Sequence, residues 1–183
     1  GAATASNGVV VFAPFDAPAV GAWNADTGSF TSADISVTVS GTQLFHGAAA
    51  AGSGRVVFAP HDADGVGIYW AEEEGTPGSY EPFVYYPIGT TLSGAGKFAG
   101  AAWVAEHGVV VFAPHNSDGV GVWSAPPWRW PPSVHDLNSV TFSLVSIEAT
   151  IGIGAKFMGA AKADNGKIVF APFDADGVGI FNP

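Results

Sequence analysis

The sequence predicts an all-β fold made of four copies of one unit, and three observations carry that prediction. The first is repetition: Val9-Val10-Val11-Phe12-Ala13-Pro14, Val56-Val57-Phe58-Ala59-Pro60, Val110-Val111-Phe112-Ala113-Pro114 and Ile168-Val169-Phe170-Ala171-Pro172 recur at intervals of roughly 45 to 60 residues, the period of a repeat architecture. The second is composition, because 25 Gly and 13 Pro spread through 183 residues interrupt any long helix. The third is the character of the runs, which are short, β-branched and without polar alternation, as in strands covered on both faces. Units this short bury their apolar faces only against neighbours, so the four form one array.

Each unit opens on a small-residue step at Gly1, Gly47, Gly100 or Gly159, with Phe45, Phe98 and Phe157 two residues ahead of the last three. Asn7-Gly8, Ser53-Gly54, His107-Gly108 and Asn165-Gly166 follow; such pairs supply the positive φ of a tight hairpin turn. The Val-Val-Phe run is the second strand, and proline closes it. Asp62-Ala63-Asp64-Gly65, Asn116-Ser117-Asp118-Gly119 and Asp174-Ala175-Asp176-Gly177 then turn the chain into a third strand that begins Val-Gly. In the first unit Asp16-Ala17-Pro18-Ala19 replaces the Asp-Gly pair, which changes the turn geometry and marks an edge or seam. A fourth strand is expected at Ile35–Val39, Pro82–Tyr86 and Val140–Val145.

Three to four antiparallel strands per unit, with glycines beside aromatics, describe a blade of a small β-propeller-like array, and small residues at the start of each blade suit a crowded axis. One domain is expected over residues 1–183, divided near 1–43, 44–96, 97–155 and 156–183. The best-preserved stretch, Lys156 to Val178, resembles the kelch-like propeller repeats of large algal and protist proteins. That resemblance covers nearly all of the chain and carries no catalytic motif; it implies a propeller fold and a binding role.

Composition narrows the function. A net charge of −10 with only six Lys and Arg argues against nucleic acid and anionic membrane surfaces as partners. No apolar run is long enough for a membrane-spanning helix, so direct membrane insertion is not expected. The absence of cysteine excludes disulfides, thiolate metal sites and a cysteine nucleophile. The first residue is Gly rather than Met, which points to a processed chain and to an organellar lumen or secretion. No nucleophile elbow, phosphate loop, dinucleotide fingerprint or zinc-protease motif occurs, so no catalytic residue and no cofactor are expected.

Two clusters compete for attention. His61 and His115, which follow the conserved prolines, could form a metal site with Asp62 and Asp64. The reading favoured is that Phe15, His61, His115 and Phe173 form one ring of flat side chains, and that the Asp-Ala-Asp-Gly segments are metal-free turns. His46, His107 and His135 lack a repeat relation and are placed at the surface. Glu72-Glu73-Glu74 reads as a solvated loop.

The strongest candidate is Trp123-Ser124-Ala125-Pro126-Pro127-Trp128-Arg129-Trp130-Pro131-Pro132, an insertion in the third unit. Diprolines stiffen it, and Trp and Arg dominate binding hot spots, so Trp123, Trp128, Arg129 and Trp130 are the expected partner-binding residues. The expectation is a non-catalytic interaction or scaffold module that docks on a protein partner within a larger assembly, with an organellar membrane complex as its extension. The alternative is a carbohydrate or small-ligand binder stacking its ligand on Trp70, Trp103 and Trp128; a hydrolase comes third.

Overall fold

The computed structural model describes residues 1–71, 82–124 and 139–183, and its regular elements there are all strands. The first sheet runs β1 (Ala2–Thr4), β2 (Val9–Phe12), β3 (Ala19–Asn24) and β4 (Phe30–Asp34). The second runs β5 (Phe45–Ala50), β6 (Arg55–Pro60), β7 (Gly65–Trp70) and β8 (Phe83–Pro87). The third holds β9 (Phe98–Val104), β10 (Val109–Pro114), β11 (Gly119–Ser124) and β12 (Thr141–Ser146), and the fourth β13 (Phe157–Lys162), β14 (Ile168–Pro172) and β15 (Gly179–Phe181). Within each sheet, successive strands pair antiparallel in chain order, as in propeller blades.

The first hairpin of each blade turns at the expected pairs, with positive φ at Gly8, Ser53, Gly54, Gly108 and Gly166. Asn7 Oδ1 accepts the Val9 N–H and Asn165 Oδ1 the Lys167 N–H, both at 3.1 Å, so the side chain closes the turn. The second strands of the middle blades are covered on both faces.

The inner strands pack in sequence, β1 on β5, β5 on β9 and β9 on β13, while no comparable packing joins β1 to β13 among the described residues. The four blades form an arc. Its hub is a row of glycines: a Cβ on Gly1 would lie 2.7 Å from the Gly47 Cα, one on Gly47 2.7 Å from the Gly100 Cα, and one on Gly100 2.7 Å from the Gly159 Cα. Backbones this close leave no room for a methyl group, which is why the first strands carry glycine there. In the second, third and fourth blades this step coincides with a register shift between β5 and β6, between β9 and β10 and between β13 and β14.

The core lies between blades. One cluster joins Val57, Ile68 and Ile88 of the second blade to Phe98, Phe112 and Trp123 of the third. A second links Val20 and Ile35 to Phe45 and Phe58, and a third links Val111 and Val120 to Phe157 and Phe170.

Two expectations need correction. Phe58, Phe112 and Phe170 are buried, but Phe12 at the matching position is 42% exposed, because among the described residues no blade packs against the face of the first blade that carries it. The fourth strand of the first blade is Phe30–Asp34, and Ile35–Val39 is a turn in which the Thr38 and Val39 N–H groups both donate to the Ile35 carbonyl at 2.9 Å. Alternation there misled, since Ile35 is a buried plug below the turn and Val37 stands in solvent. The true signal is spacing: Phe30, Ile35 and Thr38 recur as Phe83, Ile88 and Thr91, and as Phe142, Ile147 and Thr150.

Candidate functional site

The residues after the conserved prolines line up across the arc at one end of the inner strands. Ring centroids are 5.6 Å apart for Phe15 and His61, 5.8 Å for His61 and His115, and 5.9 Å for His115 and Phe173. The row is the expected set of flat side chains, with imidazole in the two middle blades. His46 belongs to it as well, 5.4 Å from the Phe15 ring and 5.7 Å from His61. Its expected surface position is therefore wrong: it precedes the hub glycine Gly47 on β5, and that strand turns its ring onto the row. His107 is exposed as expected, and His135 lies outside the described residues.

The Asp-rich turns are junctions between blades. Asp62 Oδ1 accepts the Gly96 N–H at 2.7 Å, Asp16 Oδ1 accepts Gln43 N–H at 2.9 Å, and Asn116 Oδ1 accepts Ala155 N–H at 2.8 Å. The residues donating there, Gln43, Gly96 and Ala155, all have positive φ. The Lys97 ammonium, only 2% exposed, donates to the Asp62 and Gly94 carbonyls and lies 3.3 Å from Asp64 Oδ1. Lys156 repeats this one blade on, donating to the Ser117 carbonyl at 3.1 Å with Asp118 Oδ1 at 3.8 Å. A cation thus does occupy the mouth of each of these turns, supplied by the next blade as a lysine.

Where Pro18 replaces the second carboxylate, the residue at the lysine position is Leu44, buried in the apolar cluster of the first two blades. The charge pairs with the carboxylate or both are absent, as the cost of an unpaired buried ammonium requires.

His61 Nδ1 stands 3.0 Å from Asp62 Oδ1, close enough for charge attraction but not aligned as a hydrogen bond. Among the described residues no three His, Asp or Glu side chains converge as metal ligands.

Burial holds the His46 and His61 imidazoles below their usual value of 6.5, reinforced at both by the charge of neighbouring imidazoles and opposed at His61 by Asp62. A base whose folded pKa is depressed binds fewer protons folded than unfolded, so its contribution to stability is complete above 6.5 and declines as pH falls below it. The urea midpoint is expected to drop between about pH 8 and pH 5, and to drop less in His46→Phe. Equal pH dependence in the two proteins would contradict the burial of this imidazole in its neutral form.

The tryptophans divide sharply. Trp70 and Trp123 are core residues, 3% and 0% exposed, and Trp103 is half-buried against the same cluster. Trp123 is thus not a partner-binding residue, and Trp70 cannot stack a sugar; each sits on a third strand facing the neighbouring blade. Trp128, Arg129 and Trp130 lie outside the described residues, as does Glu72-Glu73-Glu74. The described stems of the insertion are firmly held: Trp123 at one end and Val140 at the other are both in the core, and the Tyr86 hydroxyl donates to the Val140 carbonyl at 3.2 Å.

No helix among the described residues is long and apolar enough to cross a membrane. No protein-family model matches the chain, and no curated protein matches it. Solved structures do. A catalytically inactive virginiamycin B lyase from Staphylococcus aureus with quinupristin is similar over 100% of this chain and 54% of its own, at TM-score 0.59 and 12% identity. A streptogramin B lyase is similar over 99% of this chain and 53% of its own, at TM-score 0.61 and 12% identity. The WD40 repeats of RRP9 are similar over 91% of this chain and 45% of theirs, at TM-score 0.55 and 12% identity. The chain spans about half the length of these structures, and at this identity the likeness shows the fold alone: an all-β array of propeller blades.

Proposed function

We propose that the protein is a non-catalytic interaction module, kelch-like in its repeat, that docks on a protein partner within a larger assembly through the insertion at residues 125–138. One observation supports this most directly. The insertion leaves and rejoins the fold at two core residues, Trp123 and Val140, so a Trp- and Arg-bearing segment is carried on fixed stems. Recognition segments on a rigid scaffold lose less freedom on binding. The first blade makes the same connection between its third and fourth strands with Ala25–Ser29 alone, so the length of 125–138 exceeds what the blade needs. Residues 72–81, with their three glutamates, are a second insertion at the equivalent connection of the adjacent blade.

The proposal extends to an assembly at an organellar membrane, reached through protein contacts. The test is capture from the source extract with immobilised wild-type chain and with Trp128→Ala/Trp130→Ala, quantified protein by protein. The double variant is expected to keep its thermal midpoint and to bind the captured partner at least about 30-fold more weakly. Unchanged capture, or loss of folding, would refute the role assigned to the insertion.

A further inference from the structure

The residue after the conserved proline is Phe15 in the first blade and Phe173 in the fourth, but His61 and His115 in the two middle blades. All four rings stand in one row at spacings of 5.6 to 5.9 Å, so the position accepts a phenyl ring and packing does not demand imidazole. What imidazole adds is a pair of ring nitrogens. Both histidines are half-buried, and both lie in blades that have a neighbour on either side.

The two backbones are tied to each other through one residue. Lys97 donates its N–H to the His61 carbonyl at 2.9 Å, and its own carbonyl accepts the His115 N–H at 3.0 Å. The same lysine buries its ammonium at the Asp62–Asp64 turn, which anchors the link. Each imidazole also has an oxygen at Nδ1: His115 Nδ1 donates to the Phe157 carbonyl at 3.2 Å, and the Asp62 carboxylate stands 3.0 Å from His61 Nδ1. An oxygen there draws the ring proton to Nδ1 and leaves Nε2 as the lone pair, the arrangement in which a metal-binding histidine rests its other nitrogen on a carbonyl or carboxylate. Burial holds the His61 imidazole below its usual pKa, so a metal meets less competition from protons.

The ring separation agrees with a shared ion. Two imidazoles on one tetrahedral metal at about 2.1 Å have centroids about 5.3 Å apart. Those of His61 and His115 are 5.8 Å apart, a gap that small rotations of the two rings close. The geometry points to a site for a divalent transition metal of the zinc type, held by Nε2 of His61 and Nε2 of His115 across the junction of the second and third blades. Imidazole selects such ions over calcium and magnesium, which take oxygen ligands. The turn carboxylates are not ligands, because Asp62 holds the Gly96 N–H and Asp64 faces the Lys97 ammonium. No third side chain converges on the pair among the described residues, so water completes the coordination.

The probe is zinc chloride, titrated into the full chain by isothermal calorimetry at about pH 7.5, where imidazole is neutral. Saturable binding of a single ion is expected, with a thermal midpoint that rises with zinc concentration. His61→Phe and His115→Phe install the ring that the first and fourth blades carry; each is expected to fold and to weaken binding at least about tenfold. His107→Gln, at an exposed turn, is the control and is expected to leave binding unchanged. Absence of binding would overturn the proposal. So would undiminished binding in either Phe variant, the mark of an adventitious ion only, and so would failure of both variants to fold, since packing would then require imidazole.

Discussion

Gly100→Ala is expected to lose most of the stability of the fold. Its Cβ would stand 2.7 Å from both the Cα and the carbonyl carbon of Gly159 and 2.9 Å from the Ala160 nitrogen. These are backbone atoms of the next inner strand, so relief requires moving a blade. Overpacking costs about 1–3 kcal/mol, and the +153° φ of Gly100 adds strain of about 1–3 kcal/mol. Gly47→Ala is expected to behave alike, with its Cβ 2.7 Å from the Gly100 Cα. Gly177→Ala, into open space, is the control and is expected to shift stability by no more than about 0.5 kcal/mol. Urea unfolding measures all three, and a hub substitution as mild as the control would show that the glycine row does not set the spacing of the blades.

The second large effect separates repeats that look alike in sequence. Phe58→Ala and Phe112→Ala each remove a fully buried ring that packs on another phenylalanine, Phe45 or Phe98. Each is expected to cost about 3–5 kcal/mol. Phe12 is the same residue of the same motif, yet it is half out of solvent contact only, and Phe12→Ala is expected to cost about 1 kcal/mol or less. Equal losses at the three positions would mean that the outer face of the first blade is covered in solution.

These pairs also show what a sequence can reveal here. The second and third strands, their turns and the crowded hub were legible because each is written in residues with few alternative uses: a β-branched run, Asn-Gly, a glycine beside alanines. Burial at Phe12 was not legible, since it depends on whether another blade covers that face, and the motif is the same either way. The fourth strand was misplaced in the first blade because Ile35, Val37 and Val39 alternate as a strand would, while the spacing from Phe30 to Ile35 to Thr38 carries the structure.

The buried lysines were missed for a different reason. Lysine ordinarily marks surface, and Lys97 and Lys156 reveal their place only when compared with Leu44, whose facing turn has Pro18 instead of a carboxylate. Tryptophan plays two parts here: Trp70 and Trp123, at different positions of their third strands, both lie in the core between the second and third blades, whereas Trp128 and Trp130 fall in an insertion without counterparts in the repeat.

The central claim is that this insertion meets a partner, and hydroxyl-radical footprinting of the protein alone and within its native assembly tests it most directly. Trp128 and Trp130 are expected to oxidise readily in the isolated chain and to be strongly protected in the assembly, while Trp70 and Trp123 stay protected in both. Protection of Trp128 and Trp130 in the isolated chain, unchanged on assembly, would make the segment a structural lid and contradict the account.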